Sequence, residues 1–181
     1  MDLQSFIVQL VEKNSGEIAG RVRLQKLVYF CKALGADINT NYKLYIYGPF
    51  SQQVADTLQD CVLEDILLEE NGIIREGTEF NAYMESSEIL NNPLPEQSEQ
   101  ILNDVLELCR PLSTRDLEIT ATAFFIDRQQ KVLFGCHDQN IVIEKVTHAK
   151  GNRFSENEIN ASYQRVLQKW LPLVKKYAVK Q

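Results

Sequence analysis

The chain has 181 residues, of which 44% are hydrophobic and 24% charged, with 8 glycines, 5 prolines and a formal net charge of −6. This is enough apolar material for one compact domain or two small lobes on a shared core, and the low glycine and proline content excludes a disordered or fibrous chain. With a pI near 5.0, the overall field repels nucleic acid and gives no reason to expect binding to a membrane surface.

The opening segment MDLQSFIVQL starts with an acid and has no basic run. It predicts an amphipathic helix over about 2 to 14, with Leu3, Phe6, Ile7, Leu10 and Val11 on one face. Neither a signal peptide nor a membrane span is expected, which places the protein in the cytoplasm. A second helix over about 20 to 34 carries Leu24, Leu27, Val28, Cys31 and Leu34 along one stripe, widened by Val22, Tyr29, Phe30 and Ala33. So little polar surface remains that this helix is expected at the centre of the fold.

After Gly35 the run YKLYIYG is rich in strand formers, and a strand is expected from Tyr42 to Tyr47. Gly48-Pro49 is read as stopping that strand, and Ser51 as the N-cap of a helix running to about Glu70 with Val54, Leu58, Cys61, Val62 and Ile66 buried. Charge is divided between these elements. Between Ile18 and Ala36 the basic residues Arg21, Arg23, Lys26 and Lys32 occur with no acid, whereas Ser51 to Glu70 holds six acids and no lysine or arginine. Asp56, Asp60 and Glu64, at successive four-residue steps, repel one another unless something basic lies nearby.

The stretch GIIREGTEFNAYMES reads as a β-hairpin turning at Glu76-Gly77-Thr78, with Phe80, Ala82 and Met84 on its second strand. NNPLPEQ is the one plausible linker. Four helices are expected beyond it: about 96 to 109; Ser113 to about Arg128, capped by STRD; about 138 to 149; and a long one from Ser155, capped by SENE, which Pro172 should kink or end. The expected fold class is thus α+β, mainly α. A winged-helix-like lobe over about 1 to 90, with a hairpin in the place of the wing, packs on a helical lobe over about 96 to 181. The winged-helix comparison rests on element order.

GRVRLQKLVYFCKALG followed by YKLYIYGPFSQQVADTLQDC resembles the YwgA-like proteins and the related Panacea (SocA-like) domain, whose pattern is a basic L-Q-K-L-h-Y helix and then a Y-G-P turn. LEITATAFFI and FSENEINASYQRVL are similar in layout to the C-terminal helices of the YwgA-like group. This chain reads YGPFS where the Panacea group frequently has Y-G-P-V. The resemblance implies a non-enzymatic binding protein of the antitoxin or adaptor kind, linked to toxin-antitoxin pairs, defence or mobile elements, whose partner is a toxin or another complex subunit.

From the residues themselves, Arg21, Arg23 and Lys26 are the candidates for partner or phosphate contact. Four scattered cations on a mostly apolar helix are read first as a solvated edge or as partners for neighbouring acids, because DNA binders concentrate more positive charge. A winged-helix DNA-binding regulator is the alternative reading. Tyr47, Gly48, Pro49, Phe50 and Ser51 are read as a structural corner, with an interface anchored by Tyr47 and Phe50 as the rival. Tyr42, Tyr45 and Tyr47 are read as core and rim, with base stacking as the rival.

His137 and His148 lack further ligands at metal-binding spacing, so no metal or cofactor is expected. Cys31, Cys61, Cys109 and Cys136 are expected to be free thiols. The NAS sequon at Asn160 falls inside a predicted helix and is read as coincidence. No nucleophile elbow, Walker loop, dinucleotide fingerprint or zincin motif occurs, and the paired acids Glu64-Asp65 and Glu69-Glu70 read as a solvated face. No enzyme is expected.

Overall fold

The structure, a computed structural model, describes residues 2–86, 89–90, 93–135 and 137–178. Helix α1 (Leu3–Lys13) starts where Asp2 Oδ1 accepts the Ser5 amide at 2.9 Å. After a two-residue strand β1 (Glu17–Ile18), helix α2 spans Gly20–Leu34 and stops at Gly35, whose φ of 101° is open to glycine at no steric cost. Every residue from Leu24 to Cys31 is buried. The expectation of a central helix holds, because α2 packs on the later helices α5, α6 and α9 as well as on its own half of the chain.

Strands β2 (Lys43–Tyr45) and β3 (Gly48–Phe50) form a two-stranded antiparallel sheet. Helix α3 (Gln52–Leu63) begins at Ser51 as expected but ends at Leu63, well before Glu70. Asp65 takes a left-handed φ of 53°, the chain leaves the helix, and Leu67–Glu70 becomes strand β4. β4 pairs with β5 (Ile73–Glu76) across Asn71-Gly72, with φ values of 53° and 74°. Two successive positive φ values make the hairpin turn that Asn-Gly favours, because its twist matches that of the strands.

The predicted hairpin is therefore one step out of place. Gly77 lets the chain pass Asp65, and the expected second strand is a short helix, α4 (Phe80–Met84), that buries Phe80. β1 joins the free edge of β5 through Ile18 and Ile74, giving the sheet order β1-β5-β4.

Helix α5 (Glu96–Cys109) follows the expected bounds. Helix α6 (Thr114–Phe134) starts at a reciprocal capping box between Ser113 and Asp116 and runs past the expected end at Arg128 to Gly135. Helix α7 (Gln139–Lys150), capped by Asp138, passes through a 3-10 turn at Gly151–Arg153. Helix α8 (Glu156–Arg165) starts at a second capping box, between Ser155 and Glu158.

Pro172 does not end this last stretch. A π turn at Val166–Trp170 precedes it, and helix α9 (Leu171–Ala178) continues beyond. Within the π turn Trp170 stacks on Phe30 of α2, with ring centroids 3.7 Å apart and planes 8° from parallel.

Helix covers 69% and strand 9%, an α+β fold that is mainly α, as expected. One continuous cluster of buried side chains runs from Phe6 to Tyr177. Cys31, Cys61 and Cys109 are free and buried within it; burial pushes Cys31 up and Cys61 and Cys109 up to about 12. Cys136 lies outside the described residues. Among the described residues, no helix is long and apolar enough to cross a membrane.

Candidate functional site

The Y-G-P stretch is half of a hairpin. Tyr45 pairs with Gly48 and Lys43 with Phe50, so Gly48-Pro49 forms the second strand and does not merely stop the first. The turn lies at Ile46-Tyr47. Gly48 has φ 87°, and a Cβ there would sit 2.6 Å from Thr122 Oγ1 and 3.3 Å from the Glu118 carbonyl oxygen. Only glycine allows this close approach of the hairpin backbone to α6. At the other end, Tyr45, Ile46 and Tyr47 are exposed to 62%, 68% and 54%.

Cations hold this tip through its backbone. The Ile46 carbonyl accepts from Lys150 Nζ at 2.8 Å and from Arg153 Nη1 at 3.0 Å, while the Pro49 carbonyl accepts from Lys26 Nζ at 2.6 Å. The Arg153 guanidinium also lies 4.7 Å from the Tyr47 ring centroid, within cation–π range. Beneath the hairpin one carboxylate serves two cations: Glu118 Oε1 lies 2.8 Å from Lys150 Nζ and 2.9 Å from Arg153 Nη1, and Oε2 accepts Arg153 Nη2 at 3.1 Å.

Lys26, Glu118 and Lys150 are all buried. Burial, followed by the nearby Lys150 charge, lowers Lys26 to about 7 against the opposing pull of Glu118. Burial also lowers Lys150, with the Glu118 contact opposing it.

Between α2, the hairpin and α3 lies a cavity of about 400 Å³. Its walls are mainly apolar, formed by Val22, Leu24, Ile46, Phe50, Val54 and Leu58, and Tyr45 and Tyr47 stand at the same hairpin. An apolar recess beside exposed aromatics can accept a large side chain from a partner.

The three predicted cationic contacts do not form one surface. Arg21 binds Glu69 of β4 through Nε at 2.8 Å and Nη2 at 2.5 Å and reaches Gln59 of α3 at 3.3 Å. That pairing raises Arg21 and lowers Glu69, so the basic helix does meet the acidic segment, although at a strand. Arg23 donates to the carbonyls of Leu112 and Cys109 at 2.7 and 2.8 Å and so closes the C-terminal end of α5. Lys26 is inside.

Of the predicted corner, Gly48, Pro49 and Ser51 are buried, Phe50 is half-buried and Tyr47 faces solvent. Ser51 Oγ caps α3 by accepting the Val54 amide at 3.4 Å, and lies 2.6 Å from Thr40 Oγ1. Its backbone is held on both sides by the Gln25 amide, at 3.0 and 2.9 Å.

Tyr42 packs edge-on against Tyr29 at 5.1 Å, while Tyr47 lies past the end of β2 in the turn, so the three tyrosines share no single strand face. His137 Nδ1 lies 2.8 Å from Asp127 Oδ2, and His148 lines a separate recess with Glu144 and Glu156. Among the described residues, no group of three or more His, Cys, Asp or Glu side chains is placed to hold a metal.

Sequence reasoning missed Ile46, Glu118, Lys150 and Arg153. One signal was present: Glu118 is a lone acid in the otherwise apolar or hydroxyl-bearing run LEITATAFF. A lone charge on a buried stripe implies a buried counter-charge.

In comparison with known proteins, 49 residues of the chain are 41% identical to "Uncharacterized protein YwgA" of Bacillus subtilis (strain 168). The match covers 27% of this chain and 28% of that protein, so the two are aligned over about a quarter of either length. It supports a YwgA-like relationship over that segment. No protein-family model matches the chain.

Proposed function

We propose that the chain is a non-enzymatic protein-binding module of the antitoxin or adaptor kind. Its partner, a toxin or a subunit of a larger complex, is gripped at the β2–β3 hairpin. The observation that carries this reading is the tip itself: three consecutive large apolar residues, Tyr45, Ile46 and Tyr47, stand in solvent on a backbone fixed by Lys26, Lys150 and Arg153. Exposed aromatics on a preorganised scaffold lose little entropy on binding and act as interface anchors. The cytoplasm suits the three buried free thiols, since it keeps thiols reduced.

One observation favours the second reading, a winged-helix DNA-binding regulator. The order α1, β1, α2, α3 and then the β4–β5 hairpin, with β1 on the far side of β5, is compatible with that topology. Charge opposes it. The solvent face of α3, the helix that would enter the groove, carries Asp56 and Asp60, and the hairpin carries Glu70 and Glu76. DNA binders place cations there.

The test is affinity capture from cell extract with the wild-type chain and with a Tyr45→Ser/Tyr47→Ser variant, alongside melting of both. The reading expects a stoichiometric protein partner that the variant loses at unchanged melting temperature. Capture unaffected by the variant, or salt-sensitive retention of duplex DNA alone, would overturn it.

A further inference from the structure

The formal charge is −6, yet three cations and a histidine, with no acid, border the recess between α6 and α9. It has a volume of about 420 Å³ and lies between α6 and α9, with Arg128 and Lys131 from α6, Lys175 from α9 and His137 from the segment before α7. Val132, Leu171 and Val174 form its apolar wall.

Behind it, Asp127 is fully buried and accepts the Tyr163 hydroxyl at 2.7 Å through Oδ1, while Oδ2 lies 2.8 Å from His137 Nδ1. The imidazole is thereby fixed through one nitrogen, and Nε2 is left for another partner. Lys131 Nζ donates to the Gly135 carbonyl at 2.9 Å. The Arg128 guanidinium lies 5.8 Å from the centre of the Phe124 ring, and among the described residues neither Arg128 nor Lys175 has a carboxylate partner.

Arg128, Lys131 and Lys175 bring three positive charges to one space, the carboxylate behind it, Asp127, is already engaged by Tyr163 and His137, and an anion that joins the three would relieve their mutual repulsion. A single carboxylate would leave most of that charge unbalanced. A phosphate monoester carries roughly −1.5 to −2 at neutral pH and offers three acceptor oxygens, which match a guanidinium fork and two ammonium groups. The volume lies within the range of small-molecule sites, and the apolar wall gives the organic part of such a ligand a place to lie.

We propose that this recess binds a small organic phosphate, with the phosphoryl group held by Arg128, Lys131 and Lys175 beside the His137 ring and its apolar portion on Val132, Leu171 and Val174. The site is separate from the aromatic hairpin and stands whether or not that hairpin binds a protein.

Titration with phenyl phosphate, inorganic phosphate and benzyl alcohol, followed by methyl NMR of Leu171 and Val174 and ring NMR of His137, tests it. Phenyl phosphate is expected to shift all three reporters saturably, and more tightly than inorganic phosphate, whereas benzyl alcohol leaves them in place. Loss of a charged hydrogen bond should weaken binding at least about tenfold in Arg128→Gln. Because Arg128 also packs on Phe124, the exposed Lys175→Gln provides a second variant and should weaken binding in the same direction. Arg21→Gln should leave affinity unchanged. The proposal fails if no phosphate saturates by about 10 mM, if both recess variants bind like wild type, or if benzyl alcohol produces the same shifts. Tighter binding of a phosphotyrosine peptide than of phenyl phosphate would overturn the small-ligand assignment.

Discussion

Lys150 and Ile46, 104 positions apart in the chain, meet in a 2.8 Å hydrogen bond from the lysine amine to the isoleucine carbonyl. A hairpin tip is normally a place where backbone groups turn to water. Here the tip carbonyl is tied to the end of α7, so the geometry of the exposed aromatics depends on the C-terminal half of the chain.

That dependence runs through Glu118, whose carboxylate contacts both Lys150 and Arg153. Glu118→Gln would leave a buried ammonium without its counter-charge, and breaking a buried pair from one side commonly costs about 3 to 5 kcal/mol. Urea unfolding should show a loss of about 3 kcal/mol. A loss below about 1 kcal/mol, the level of a surface pair, would mean that the cluster does not hold the hairpin.

Gly48→Ala should destabilise by about 1 to 3 kcal/mol, the cost of a strained left-handed residue, with more added by the 2.6 Å contact with Thr122 Oγ1. Adding Thr122→Ala should recover the contact part and leave the backbone part. A double-mutant cycle on melting temperature separates the two, and strictly additive effects would show that the hairpin shifts away from α6 at no further cost.

The lowered Lys26 value sets a pH dependence. Between about 7 in the folded protein and the ordinary 10.5, the unfolded chain holds the Lys26 proton and the folded one does not. Stability contributed at this site is therefore lowest below pH 7 and rises with pH across that window, by up to about 1.4 kcal/mol per pH unit. Lys26→Met should remove the rise, with a smaller one remaining from Lys150, which is lowered too. The stability of wild type minus that of the variant, measured by urea from pH 7 to about pH 9, should climb. A flat difference would show that Lys26 keeps its proton.

Ser51→Ala should cost about 1 to 2 kcal/mol, at the upper end for a helix cap, because Thr40 Oγ1 loses its 2.6 Å partner along with the Val54 amide. Melting of Ser51→Ala beside Thr40→Ala checks this. A neutral Ser51→Ala would show that Gln25, which holds the Ser51 backbone, positions α3 alone.

What was legible in the sequence was local. The bounds of α1, α2 and α5 follow from apolar periodicity, and the starts of α3, α6 and α8 follow from serine caps within three residues. The hairpin turn was also written locally, in Asn71-Gly72, but the acidic run before it reads as continued helix and draws attention away. β1 has two residues and exists only through pairing with β5, beyond the reach of any short window. The clamp on Ile46 was illegible for the same reason: a backbone carbonyl has no sequence signature, and its donors come from the far end of the chain.

The π turn at Val166–Trp170 has a consequence for chain length. A π turn houses about one residue more than an α turn, so it is where a helix can lose a residue while its flanking turns keep their angular positions. Deleting Gln168, an exposed member of the turn, would restore α geometry and return Pro172 to the clash with the carbonyl four residues before it. The deletion should thus unfold α9 by itself and be accepted together with Pro172→Ala. The wide turn and the proline form a matched pair, each tolerable because the other is there.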